Sequence, residues 1–160
     1  MFHKKVVFMG TPEFAVPILK TIAKSSYNVS CVYTQAPKKS NRGQKLNISP
    51  IHKCAEELKL IIRNPEKLNT ENEFEFIKKL KPDLAIVVAY GKLISKKILS
   101  IPKEGFVNIH ASLLPKWRGA APIQRSIMNS DKETGISIMK ILEELDAGPV
   151  MRKIKVKINE

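Results

Sequence analysis

The chain has 160 residues, 43% hydrophobic and 27% charged, the size and balance of one soluble globular domain with one core. Lys and Arg number 28 against 15 Asp and Glu, a formal net charge of +13, which suits a polyanionic partner such as RNA or an anionic membrane surface and equally suits a basic proteome. No apolar run approaches the ~18 to 20 residues of a membrane helix, so no membrane association is expected and the protein reads as cytoplasmic.

The N-terminal MFHKKVVFMGTPEF begins like a signal peptide, but Gly10, Thr11, Pro12 and Glu13 cut its apolar section short. KKVVFM (residues 4–9) predicts a strand, and PEFAVPILKTIAK (12–24) a helix whose first turn tolerates Pro12 and which Pro17 distorts locally. NVSCVYT (28–34) predicts a strand. In SPIHKCAEELK (49–59), Ser49 can cap a helix and Pro50 suits its first position. TENEFEFIKKL (70–80) predicts a capped helix, DLAIVVAY and GFVNIH strands, and PIQRSIMN (122–129) a short helix. After Gly135, ISIMKI and VMRKIKVKI alternate and predict later strands with one solvated side. Strands alternating with helices imply an α/β fold, an open and mostly parallel Rossmann-like sheet with helices on both faces. LAIVVA, apolar in both registers, suits a central strand of it.

Residues 34–50, TQAPKKSNRGQKLNISP, break this compactness with Lys38, Lys39, Arg42 and Lys45 and no acidic residue. A loop that long is either a solvated connection or functional, and basic side chains on such an arm can follow a phosphate backbone.

Asn108 and His110 share a face at the end of GFVNIH, because strand side chains alternate. In open parallel sheets ligands sit beyond the carboxyl ends of the strands. An amide and an imidazole there offer what acyl transfer needs: a donor for a developing oxyanion and a group to manage the proton of an attacking amine. Asp146, in EELDAGP, is a candidate third member, with a turn or cap aspartate as the plainer alternative. For His110 alone the plainer alternative is a satisfied core histidine. The sequence lacks GxGxxG and Walker patterns, its three histidines (His3, His52, His110) are too scattered for a metal site, and Cys31 and Cys54 read as buried reduced thiols. Direct transfer between two bound substrates is the chemistry left.

MGTPEFAVPIL, RGQKLNISPI, VVAYGKLI, NIHASLLPKWRGAAPIQ and ETGISIM followed by LDAGPV together resemble the methionyl-tRNA formyltransferase family, in the family's order and over nearly the whole chain. The resemblance implies transfer of a formyl group from 10-formyltetrahydrofolate to the α-amino group of methionyl initiator tRNA, by a monomer, without a metal. It puts Asn108, His110 and Asp146 on the catalytic trio. Ser112, Leu113, Leu114 and Pro115 fall on a folate-binding segment, and Arg42 on a basic insertion that contacts tRNA. It also implies that residues 1–160 are the formyltransferase catalytic domain, with its C-terminal part and a β-barrel domain absent. KILEELDAG departs from the family pattern at Leu142 and Glu144, in the loop carrying Asp146. The shorter Asn-x-His and Ser-Leu-Leu-Pro core is common to folate-dependent formyltransferases acting on small amines, which leaves that activity, and an inactive RNA-binding fragment, as alternatives.

Overall fold

Four of the six residues of KVVFMG (Val6, Val7, Phe8 and Met9) are wholly buried, as expected of a strand covered on both faces. The computed structural model describes residues 4–40 and 45–159, and the chain folds as two compact units, Met1–Gly105 and Phe106–Glu160.

In the first unit β1 (Lys5–Gly10) pairs in parallel with β2 (Asn28–Tyr33) on one side. On its other side lies β6 (Leu84–Val88), and the two-residue β5 (Ile62–Arg63) extends the sheet beyond β2. The order β5-β2-β1-β6 reverses direction at β1, which makes the carboxyl end of β1 a switch point. Crossover helices join the parallel strands: α1 (Val16–Ala23), α2 (Pro50–Glu57) and α3 (Glu71–Leu80), with a single turn α4 (Lys96–Leu99) after β6.

The segment expected to be one helix from Pro12 is instead a 3-10 turn, Glu13–Ala15, followed by α1, with Pro17 in the first turn of α1. An N–H is dispensable there, so the helix begins around Pro17 rather than bending at it. The other caps form as expected. Ser49 Oγ accepts from His52 N at 3.0 Å, and Thr70 Oγ1 accepts from Glu73 N at 3.3 Å.

Thr70 and Glu73 have the spacing of a reciprocal capping box, yet the Glu73 carboxylate turns into the core. Tyr33 OH donates to it at 2.7 Å and Arg63 Nε at 2.8 Å, with Arg63 Nη2 on the other oxygen. Burial pushes the Glu73 carboxyl up, but the bonds from Arg63 and Tyr33 and the guanidinium charge outweigh it and hold it below the ordinary value. Its stabilising contribution is therefore present above its unfolded-state pKa and lost as pH falls through the folded one. Arg63→Met strands a carboxylate that is 4% exposed and is expected to cost about 3 kcal/mol in urea denaturation at neutral pH. The deficit should shrink on acidification, as Glu73 protonates.

Cys31 and Cys54 are buried free thiols, and burial pushes the Cys31 thiol up to about 12. Within the basic arm, β3 (Lys38–Ser40) pairs antiparallel with β4 (Lys45–Asn47). Among the described residues no helix is long and apolar enough to cross a membrane.

The second unit is antiparallel, in the order β7 (Phe106–His110), β8 (Glu133–Lys140), β9 (Val150–Lys157), with α5 (Pro122–Met128) leading into β8. Along β8, Gly135, Ser137 and Met139 are buried at every second position, the expected one-sided strand. β9 differs from that expectation: all eight of its residues are exposed in the described chain.

Candidate active site

β7 places Asn108 and His110 two residues apart on one face, opposite Met139 and Ser137 of β8. Beyond β7 the chain enters a tightly bonded loop. Ser112, fully buried, donates from Oγ to Lys116 O at 2.6 Å. Ser137 Oγ donates to Ser112 O at 2.7 Å and accepts from Leu114 N at 3.0 Å. Lys153 Nζ on β9 donates to Leu114 O at 2.6 Å, and the Leu114–Pro115 peptide is cis. Two residues later Trp117 takes φ 59°, a left-handed conformation uncommon for a bulky residue.

That turn brings Trp117 O to 2.9 Å from His110 Nε2. A carbonyl only accepts, so Nε2 carries a proton. Nδ1 is left as the nitrogen that faces Asp146, whose Oδ2 is 3.6 Å away, an ion-pair distance when the ring is charged but longer than a hydrogen bond. The Asp146 carboxylate is itself held at both oxygens. Asn108 Nδ2 donates to Oδ1 at 3.2 Å, and Gly119 N donates to Oδ2 at 2.8 Å. Asp146 stands at φ 47°, a region Asp tolerates better than most residues. The bond from Gly119 depends on a φ of 83° at that glycine, a conformation open to glycine at little cost.

The structure thus brings Asn108, His110 and Asp146 together, with side chains of His110 and Asp146 only 8% and 12% exposed. Asp146 is both a turn aspartate and a member of the cluster. Asn108 has a second Nδ2 hydrogen beyond the one given to Asp146, available for another acceptor. The four residues of the Ser-Leu-Leu-Pro segment divide: Ser112 and Leu114 are buried, Leu113 is half-buried and Pro115 is exposed. Leu113 lies over β8, where a Cβ on Gly135 would meet Leu113 Cδ2 at 2.6 Å. Arg42 lies outside the described residues. Among those residues no cluster of His, Cys, Asp and Glu is arranged to hold a metal.

Three groups were not singled out from sequence: the Trp117 carbonyl, the Gly119 amide and Asp131. Asp131 accepts from Lys116 Nζ, Asn129 Nδ2 and Trp117 Nε1, each at 2.7 Å. Those hydrogen bonds hold its carboxyl at about 2. The only available signal was the break of the chain into Lys-Trp-Arg-Gly after the strand, which marks a turn but not what the turn presents.

A formyl transferase family model matches residues 4–160. The methionyl-tRNA formyltransferase of Pelagibacter ubique (strain HTCC1062) is 61% identical over 158 residues, 98% of this chain and 51% of that protein. The methionyl-tRNA formyltransferase of Wolbachia sp. subsp. Drosophila simulans (strain wRi) is 49% identical over 98% of this chain and 52% of its own length. The chain spans about half the length of the curated relatives it matches. Among solved structures, the phosphoribosylglycinamide formyltransferase of Bacillus halodurans aligns with a TM-score of 0.76 at 20% identity, over 98% of this chain and 81% of that one. A formyltetrahydrofolate deformylase of Pseudomonas syringae aligns at 0.73 and 21% identity, over 98% and 52%. At these identities the likeness shows the fold alone, the mostly parallel, Rossmann-like α/β sheet that the alternation of elements implied. With the family model matching all but the first three residues, the chain belongs to the formyl transferase family.

Proposed function

We propose that this chain carries the site for formyl transfer from 10-formyltetrahydrofolate to the α-amino group of methionyl initiator tRNA. The observation that carries the proposal is the convergence of Asn108 and His110 on the two oxygens of Asp146. The amine attacks the formyl carbon, and negative charge moves to the formyl oxygen. The free Nδ2 hydrogen of Asn108 and a protonated Nδ1 of His110 are the donors suited to that oxygen. Asp146 faces the charged ring and can take a proton from the attacking nitrogen, directly or through water, for return to the departing folate nitrogen. Ser112, Leu113, Leu114 and Pro115 form the proposed folate-binding segment. The bonds from Ser137 and Lys153 to its backbone support a rigid wall there.

For the acceptor, support comes from the names of the relatives and from the basic arm around Arg42, a site for tRNA phosphates in this reading. A small-amine acceptor gives that arm no task. A cytoplasmic, monomeric enzyme belongs to the same reading. The test is formyl transfer by the chain to methionyl initiator tRNA beside transfer to small primary amines. Preference for the charged tRNA is expected, and equal use of small amines would overturn the acceptor assignment. Arg42→Ala is expected to weaken tRNA binding and to lower the slope of log affinity against log salt by about 1, with folate binding unchanged; an unaltered slope would remove Arg42 from the interface.

A further inference from the structure

We propose that Asp131 is a positioning residue for His110: its carboxylate anchors the Trp117 indole and thereby the Trp117 carbonyl that determines which imidazole nitrogen carries the proton.

The chain of contacts is short and continuous. Trp117 Nε1 donates to Asp131 Oδ2 at 2.7 Å, and the carbonyl of the same residue accepts from His110 Nε2 at 2.9 Å. At φ 59°, Trp117 holds a left-handed conformation that is strained for an L-residue, so the surroundings must over-determine it. The indole bond is one such restraint. If Trp117 relaxed to negative φ, its carbonyl would swing away from the ring. Nε2 would lose its acceptor, and the Asp146 carboxylate would become the nearest acceptor for a proton on Nδ1.

Asp131 is well built for this task. Its side chain is 7% exposed, and three donors from three side chains converge on its two oxygens. Held at about 2, it stays anionic at neutral pH, so the anchor keeps its charge there. The control of the ring stands independently of the reaction; its consequence for turnover rests on the formyl-transfer reading above.

The test is the tautomer of His110, read from long-range proton–nitrogen correlations of the imidazole in the ¹⁵N-labelled chain above the pH of ring titration. Wild type is expected in the Nε2–H form. Asp131→Asn and Trp117→Phe should each raise the Nδ1–H population several-fold, while Lys116→Met, which spares the indole bond, should stay near wild type. A clamp that serves the loop alone would lower thermal stability in the first two variants and leave the tautomer as it was. That result, or an equal shift in Lys116→Met, overturns the proposal. Should Asp131→Asn not fold, Trp117→Phe decides, because it leaves Asp131 with two donors. In the formyl-transfer assay the two variants should lose roughly tenfold in kcat with KM little changed, because a ring released from Trp117 O no longer holds Nδ1 in one place.

Discussion

Replacing His110 by Ala is expected to lower kcat for formyl transfer by about 10³-fold while leaving KM for tRNA and folate within a small factor. The ring is almost buried, with one nitrogen spent on Trp117 O and the other facing Asp146. It therefore offers little binding surface to either substrate, and in the proposed mechanism its value lies in the charge and proton it presents as the tetrahedral intermediate forms. Removal also leaves the Trp117 carbonyl without its ring partner, at a cost of about 1 to 3 kcal/mol. Thermal unfolding recorded beside the kinetics separates the two effects: a variant still folded at the assay temperature and a thousandfold slower has lost chemistry, not structure. A folded His110→Ala chain that turns over at the wild-type rate would remove the imidazole from the mechanism.

The second large effect is expected at a glycine beside the site. A Cβ on Gly148 would fall 1.8 Å from Lys140 O and 2.9 Å from its carbonyl carbon, a collision with strand backbone that no rotamer change relieves. Lys140 N also donates to Pro149 O at 3.0 Å, so the loop is stitched to the end of β8 right beside the clash. Gly148→Ala must push the loop outward, and Asp146 lies two residues away, with a bond from Gly119 N that depends on its present place. Overpacking of this kind costs about 1 to 3 kcal/mol or more, and an ångström of displacement at a reacting group costs roughly 100-fold in rate. Both losses are expected together, in a melting curve and in kcat. If Gly148→Ala proved as stable and as active as wild type, the loop would have a latitude that the contact with Lys140 denies.

Much of this was legible in the sequence, for reasons that differ by element. The helices α2 and α3 were readable because their signals are local: a serine followed by proline, and a threonine followed by acidic residues, satisfy orphan N–H groups wherever the chain goes. β1 and β6 were readable because both faces are apolar. The pairing of Asn108 with His110 followed from the period of a strand. What escaped depends on partners distant in sequence or on elements too short to carry a period. α4 is one turn of Lys-Lys-Ile-Leu and β5 only two residues. VMRKIKVK alternates as a half-buried strand should, yet β9 is exposed throughout, because alternation reports what a strand can bury and not what is there to bury it. Leu142, one of the departures in the loop carrying Asp146, is 49% exposed, with its Cγ 3.4 Å from where a Gly148 Cβ would sit. The inward turn of Glu73 defeated a spacing that otherwise predicts a capping box. Nothing in KWRGAAP says that a tryptophan there will expose its carbonyl to a histidine seven residues earlier, nor that Asp131 will hold its indole. Those depend on a positive φ and on a bond spanning fourteen residues.

The central claim is that His110 and Asp146 act as one unit on the formyl group. The direct measurement is the rate of formyl transfer from 10-formyltetrahydrofolate to methionyl initiator tRNA by the chain, by His110→Ala, by Asp146→Ala, and by the double variant. Residues that work as a unit are not additive, so the double variant is predicted to be hardly slower than the slower single one. Losses that multiply in the double variant, or rates in all three that match the wild type, would contradict the account.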